Sequence, residues 1–392
     1  MDNVVIVSAC RTPIGSFRGS LSALPSPRLG AIAIKEAVTR AGIGVADVDE
    51  VIMGNVLQAG VGQAPARQAA IFAGLPSSVE CMTVNKVCGS GLKAVMLGAQ
   101  AIMTGDAQIV VAGGMESMTN APYLLDKARE GYKMGSGEIV DALVKDGLQD
   151  VYNKFLMGCA ADVCAKECNI PRSAQDDFAI ASYTRAQKAQ REGRFKREIV
   201  SAEVPAGKGK TATVVDDEDV TKTDFAKIPN LKPAFTTDGT VTAANSSKVS
   251  DGAAALVLMR ADLAREKGLR PLARIVAQAS SAKDPLWFTT APADAIAKIL
   301  RKSGLAVGDI DLFEVNEAFA VVALAVNRIA GLDPEKVNVN GGAIALGHPL
   351  GASGARILVT LLHAMEQRNS RRGLATLCIG GGESSAVIVE RL

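Results

Sequence analysis

Histidine is nearly missing from this chain: two in 392 residues, beside one tryptophan and four tyrosines. A metal centre built on several imidazoles is therefore excluded, and any imidazole chemistry falls to His348 or His363. A charge bias is missing too. With 43 basic and 41 acidic residues the net charge is +2, which excludes a nucleic-acid footprint. No apolar run reaches about 18 residues, so no membrane-spanning helix is expected. The seven cysteines are odd in number and irregularly spaced, which fits no disulfide framework and favours a reducing compartment. Met1-Asp2-Asn3 runs straight into Val4-Val5-Ile6-Val7 without a basic, then apolar, leader, and Glu390-Arg391-Leu392 is no sorting signal. Cytoplasm is the expectation. Cys159, Cys164 and Cys168 lack zinc spacing, so no metal site is expected. Gly209-Lys210-Thr211 is no phosphate loop, because Val204 stands where the first glycine belongs. Lys208, Lys210 and Lys222 read as a solvated loop.

What the chain does have is small apolar residues: 48% are hydrophobic, with 38 glycines. That is the make-up of an α/β protein whose helices pack closely, and the length calls for two or three domains. The two ends resemble each other. Ala41-Gly42-Ile43-Gly44-Val45-Ala46-Asp47-Val48-Asp49 matches Ser303-Gly304-Leu305-Ala306-Val307-Gly308-Asp309-Ile310-Asp311. Cys88-Gly89-Ser90-Gly91 matches Gly351-Ala352-Ser353-Gly354, and Gly113-Gly114-Met115-Glu116-Ser117 matches Gly380-Gly381-Gly382-Glu383-Ser384. Three pairs in one order at a near-constant offset argue for an internal duplication. The expected domains are 1–118 with about 250–269, a dissimilar excursion over 119–249, and 270–392. Alternating strand and helix patterns, with strands such as Val4–Ala9, Leu312–Val315 and Val337–Asn340, predict two similar sheets sandwiched by helices. In the excursion, Ser173 is expected to cap a helix that runs to Gly193.

Three reactive side chains sit among glycines. Cys88 precedes a helical pattern over Ser90–Thr104, where free N–H groups are expected to lower its thiol pKa and to bind an oxyanion. A small buried core cysteine is the commoner alternative. His348 lies in Gly347-His348-Pro349-Leu350-Gly351, whereas His363 falls in what reads as an ordinary amphipathic helix. Cys378 ends an apolar strand and meets three glycines, a place where main chain lies against a ligand. The duplication would let the Cys88 and Cys378 loops converge.

Together, Val87-Cys88-Gly89-Ser90-Gly91, Asn316-Glu317-Ala318-Phe319, the Gly347–Gly354 segment and Cys378-Ile379-Gly380-Gly381-Gly382 make the chain resemble the thiolase family over essentially its whole length. The resemblance implies a duplicated five-layer αβαβα fold with two mixed sheets and an inserted loop domain that covers coenzyme A, assembled as a homotetramer or dimer. It implies condensation of two acetyl-CoA to acetoacetyl-CoA and coenzyme A, and the reverse thiolysis, with both coenzymes as substrates and no tightly bound cofactor. Cys88 would be acylated and His348 would activate it. Cys378 would move the α-proton. Asn316 would hold a water that, with His348 Nε2, stabilises the enolate. The N–H groups of Cys88 and Gly380 would form a second oxyanion hole. Coenzyme A contacts carry over to Leu148, Met157, Phe235, Ala243, Ser247, Ala318 and Phe319. Leu156 stands where short-chain members carry histidine, and Phe288 where they carry methionine. A broad-chain degradative thiolase, a decarboxylating ketosynthase and a non-catalytic acyl-CoA binder remain as alternatives.

Overall fold

The computed structural model describes residues 4–207 and 209–392, so Met1–Asn3 and Lys208 lie outside the described residues. The first half runs β1 (Val4–Arg11), β2 (Gly15–Ser16), α1 (Ser26–Ala41), β3 (Glu50–Gly54), α2 (Pro65–Phe72), β4 (Glu80–Val84), α3 (Ser90–Thr104) and β5 (Ile109–Ser117). The excursion holds β6 (Tyr123–Leu124), β7 (Val140–Asp141), α4 (Met157–Glu167), α5 (Arg172–Arg191), β8 (Ala202–Pro205) and β9 (Thr211–Val214). The chain then returns through β10 (Ser250–Arg260) and α6 (Ala261–Glu266). The second half comprises β11 (Ala273–Ala282), α7 (Ala291–Ser303), β12 (Leu312–Val315), α8 (Ala320–Ala330), α9 (Ala343–Leu346), α10 (Leu350–Gln367), β13 (Arg372–Ile379) and β14 (Glu383–Arg391).

Strand order betrays the duplication. The path β4-β3-β5-β10-β1 is followed by β11-β14-β13-β12, the same succession read from the opposite edge. Each half mixes parallel pairs (β3 with β4 and β5; β12 with β13) with antiparallel ones. The two sheets touch only where Val5 and Ile6 pair with Arg274 and Ala273. The expected strand over Val337–Asn340 is reduced to isolated bridges, Val337 with Phe313 and Val339 with Gly341. Asn338 at φ 47° and Gly341 at φ 78° turn the chain out of the extended region there.

Strands buried on both faces explain the apolar runs. Ile52, Val110, Leu256 and Leu258 face inward with Ile275, Leu377, Val387 and Val389 of the other sheet, and α3 and α10 fill the space between. Their neighbours Val51, Met53, Val111 and Val257 face α1 and α2, while Phe313, Val315 and Ile388 face α7 and α8. Layers therefore run helix, sheet, helix, sheet, helix. Residues Val87–Thr104 reach a mean hydropathy of 1.2 over 18 residues, apolar enough by composition to cross a membrane, although no such stretch was expected. In the fold this is the central helix α3, packed between the sheets. His363, expected to have no catalytic part, lies on a helix that is more buried than its pattern indicates. Helix α10 is buried all round, and His363 Nε2 meets the Ala9 carbonyl oxygen at 3.1 Å.

The excursion is clamped onto β1 by Arg11, which is fully buried and bonds Glu198 at 2.6 Å and Asp217 at 2.7 and 2.8 Å. Ser173 does not cap α5. Pro171 occupies the cap position, since its fixed φ suits a helix start, and Ser173 falls in the first turn. Asp176 is drawn instead to Arg172 at 2.7 Å and Asn245 at 3.0 Å.

Candidate active site

Helices α3 and α10 lie in one layer, and the residues just before their N-termini are Cys88 and His348. Glycine makes the approach possible. A Cβ on Gly91 would stand 2.8 Å from Ala355 N and 3.0 Å from Gly351 O, and one on Gly54 would stand 2.6 Å from Gly351 O. Backbone meets backbone at this seam, which leaves no room for a side chain. The turn that delivers Cys88 is strained, with Val87 at φ 45°. Ser90 holds it by donating to Val87 O at 2.6 Å and accepting from Lys86 N–H at 2.8 Å.

Cys378, at the end of β13, comes from the other sheet. Its loop packs on the Cys88 loop so closely that a Cβ on Gly89 would overlap Ile379. The Gly380 N–H faces the Cys88 thiol, and Lys86 pairs with Glu383 across the seam. The two thiols are near enough for charge on Cys88 to push the Cys378 thiol up, on top of the larger effect of burial. Burial also pushes the Cys88 thiol up to about 11, against the Gly380 and Cys88 N–H groups that pull it down. That corrects the expectation of a lowered pKa: desolvation outweighs the helix terminus.

His348 is buried, and its pKa is pushed down to about 3 by burial and by the Arg356 charge, so the imidazole is neutral. Its Nδ1 lies 2.6 Å from Ser353 Oγ, which donates to Pro349 O at 2.9 Å. With the hydroxyl hydrogen so placed, Oγ accepts from Nδ1–H and Nε2 keeps its lone pair. Nε2 and Asn316 Nδ2 are both buried without a protein partner. Two unsatisfied polar atoms at the sheet ends signal a ligand position.

Leu148, Met157, Phe235, Ser247 and Phe319 line, with Leu156 and His348, a cavity of about 130 Å³. Ala318 does not reach it; it is buried below, and its carbonyl accepts from Ser247 N–H at 2.9 Å. Ala243 is exposed, and its carbonyl accepts from Lys248 Nζ at 2.6 Å. Gly380 and Val87 line a second, wider hollow of about 600 Å³ that shares Met157. Phe288 stacks edge-on against Phe319 at 6.4 Å, behind the first cavity.

Sequence reading missed the groups that hold these side chains. Glu116 is buried, and its carboxylate accepts from Asn55 Nδ2 at 2.7 Å, Gly351 N–H at 2.9 Å, Val56 N–H at 3.0 Å and Leu57 N–H at 3.2 Å. It ties the N-terminus of α10 to the end of β3. Burial pushes its carboxyl up to about 7, opposed by those backbone donors. Glu317 does the same for the second half, accepting from Ser182 at 2.7 Å, Asn338 at 2.9 Å and Ile344 N–H at 3.2 Å. The available signals were the repeat containing Glu116 and the Asn316–Phe319 segment containing Glu317. Among the described residues no cluster of side chains suits a metal ion.

Comparison with known proteins agrees with this fold. The family model described as thiolase, N-terminal domain matches residues 4–262, and that for the thiolase C-terminal domain matches 269–391. An acetyl-CoA acetyltransferase of Cupriavidus necator is 54% identical over 392 residues, covering 100% of both chains. One from Schizosaccharomyces pombe is 53% identical over 390 residues, covering 99% of each. The crystal structure of the Bacillus anthracis acetyl-CoA acetyltransferase matches with a TM-score of 0.98 at 42% identity, covering 100% of this chain and 99% of that one.

Proposed function

The chain belongs to the thiolase family, and on that premise we propose that it is an acetyl-CoA C-acetyltransferase, condensing two acetyl-CoA and cleaving acetoacetyl-CoA with coenzyme A. The observation that carries this reading is the meeting of Cys88, Cys378 and the Gly380 N–H across the two halves, beside the unpartnered His348 Nε2 and Asn316 Nδ2.

Cys88 Sγ attacks the thioester carbonyl while His348 Nε2 takes its proton and passes it to the departing coenzyme A sulfur. A thiol held near 11 beside an imidazole near 3 stays uncharged until substrate arrives, so the proton moves with the attack. The Cys88 and Gly380 N–H groups receive the oxyanion, and one such donor is typically worth about 2.7–4 kcal/mol. In the second half, Cys378 gives its own proton to His348 Nε2 and, as the thiolate, removes the methyl proton of acetyl-CoA, while the enolate oxygen faces the protonated Nε2 and a water on Asn316. Ser353 Oγ accepts from Nδ1–H throughout, so Nε2 is a base while the ring is neutral and a donor once it has taken a proton. Carbon then attacks the acetyl-Cys88 carbonyl, the bond from that carbonyl to Sγ breaks, the Cys88 thiolate takes the proton back from His348 Nε2, and acetoacetyl-CoA leaves with Cys378 again a thiol. In cleavage the order reverses. Burial holds Cys378 as the thiol, the form that protonates the leaving carbanion.

Pantetheine would lie along Leu148, Met157, Phe235 and Phe319, with Ser247 at the mouth, and neither coenzyme A nor acyl-CoA is retained as a cofactor. Bulky Phe288 behind Phe319 closes the acyl end and favours short chains. Seven free thiols fit a cytoplasmic setting. A homotetramer or dimer is favoured by the free outer edge of β4, where Met82 is 45% exposed.

Acetoacetyl-CoA and coenzyme A are mixed with pure protein and the enolate absorbance is followed. Rapid loss is expected. No turnover there, with fast cleavage of long 3-ketoacyl-CoA, would move the reading to the degradative type. Intact mass after acetyl-CoA is expected to show an acetyl adduct that Cys88→Ser abolishes.

A further inference from the structure

Arg356 stands on α10, eight residues past His348, and is 2% exposed. Its partners are too distant to explain so costly a burial. The NH1 nitrogen is 3.6 Å from Glu314 Oε2, and neither Nε nor NH1 makes a hydrogen bond. The NH2 nitrogen makes one contact, donating to Asn316 Oδ1 at 3.4 Å. That contact decides which way the amide points. A guanidinium can only donate, so it selects the oxygen of Asn316 and turns the NH2 group away. The group turned away is Nδ2, which has no protein partner. The same cation helps to hold His348 neutral.

We propose that Arg356 is a positioning residue for carbon–carbon bond chemistry: it fixes the amide of Asn316 so that Nδ2 is presented as the donor on the enolate side. This rests on the reading of Asn316 given above. Glu314 completes the device as the counter-charge, and its own carboxyl is pushed up to about 8 by burial in spite of Arg356. Acylation of Cys88 uses the other oxyanion donors, the Cys88 and Gly380 N–H groups. Burial, the larger cause, keeps His348 neutral as the base for acylation, so the loss of Arg356 falls on the half-reaction that uses Asn316, a split that a purely structural role would not give.

The test uses Arg356→Gln together with Glu314→Gln, which removes both charges of the pair at once and replaces a donor-only group by an amide with no fixed sense. Acetylation of Cys88 by acetyl-CoA, followed by rapid-quench intact mass, is expected to stay within threefold of wild type. Steady-state condensation is expected to fall at least tenfold. In an Asn316→Ala background the same pair should change condensation less than twofold, because the group it positions is gone. Acetylation falling in step with condensation, or losses that multiply in the Asn316→Ala background, would overturn the proposal. Wild-type condensation by Asn316→Ala alone would instead sink the reading of Asn316 itself. Asn316→Asp keeps the test open if the Gln pair does not fold. Its Oδ1 still accepts from Arg356 and the oxygen turned away donates nothing, so it should melt at or above wild type, acetylate Cys88 and lose condensation at least tenfold. A lower melting point or retained condensation counts against the proposal.

Discussion

The seam between α3 and α10 can be tested with a single methyl group. Gly91→Ala places a Cβ 2.8 Å from Ala355 N, 3.0 Å from Gly351 O and 3.2 Å from Ala355 Cβ. The first two are main-chain atoms of a buried helix and cannot swing aside. Reaching an ordinary contact of 3.4 Å requires the helices to part by about 0.6 Å at that point. Overpacking of this kind costs about 1–3 kcal/mol. Exchanging glycine for alanine inside a helix returns about 0.5–1 kcal/mol, so a net loss of up to about 2.5 kcal/mol is expected. The larger effect is on rate. Cys88 precedes one helix and His348 the other, so the displacement passes into the distance between nucleophile and base. A misplacement of about 1 Å costs roughly a hundredfold, which puts 0.6 Å at roughly tenfold or somewhat more. The assay is kcat for acetoacetyl-CoA thiolysis beside equilibrium unfolding in denaturant. Gly308→Ala is the control, because a Cβ there meets nothing within 4 Å and no left-handed φ is involved. If Gly91→Ala keeps kcat within twofold of wild type and is as stable as the control, the glycine seam does not set the catalytic distance.

Alkylation of Cys88 by iodoacetamide, read by peptide mass, should accelerate about tenfold per pH unit from 7 to 10, because thiolate grows towards a pKa of about 11. A plateau near neutral pH would reveal a preformed thiolate–imidazolium pair and refute the uncharged resting state. Ser353→Ala removes the partner of His348 Nδ1 and should lower kcat roughly tenfold or more, with a stability loss of about 0.5–1.5 kcal/mol. Unchanged kcat would show that the loop alone orients the ring. Glu116→Gln turns an amide NH2 onto two of the N–H donors that the carboxylate now accepts, and should destabilise by about 2–5 kcal/mol in denaturant unfolding. A loss under 1 kcal/mol would mean that Glu116 is held protonated.

The duplication was legible because three short repeats each fall where backbone geometry tolerates little variation. Gly42 and Gly304 both end helices at φ 70°, and Gly91 and Gly354 both touch the opposite central helix. The nucleophile, the imidazole and the second thiol were legible for a related reason: glycines around a reactive side chain mark main chain against main chain or ligand. The burial of His363 was not legible, because a sequence pattern cannot tell a helix with one wet face from one buried between two sheets. The pKa direction at Cys88 was misread because a helix terminus is a local feature, while desolvation is the sum of everything packed around the sulfur.

By itself, then, the sequence determined the α/β class, the repeated unit and the residue types that carry the chemistry, since these depend on periodicity and on local backbone demands. The tertiary structure alone decided which polar atoms stay unpartnered, Asn316 Nδ2 and His348 Nε2, and which groups hold their neighbours: Ser353, Glu116, Glu317 and Arg356. Those facts depend on contacts between segments as far apart as Glu116 and Gly351, 235 positions along the chain. A hydrogen-bond partner is fixed by the closing of two sheets over a shared helical layer, and no local pattern encodes it.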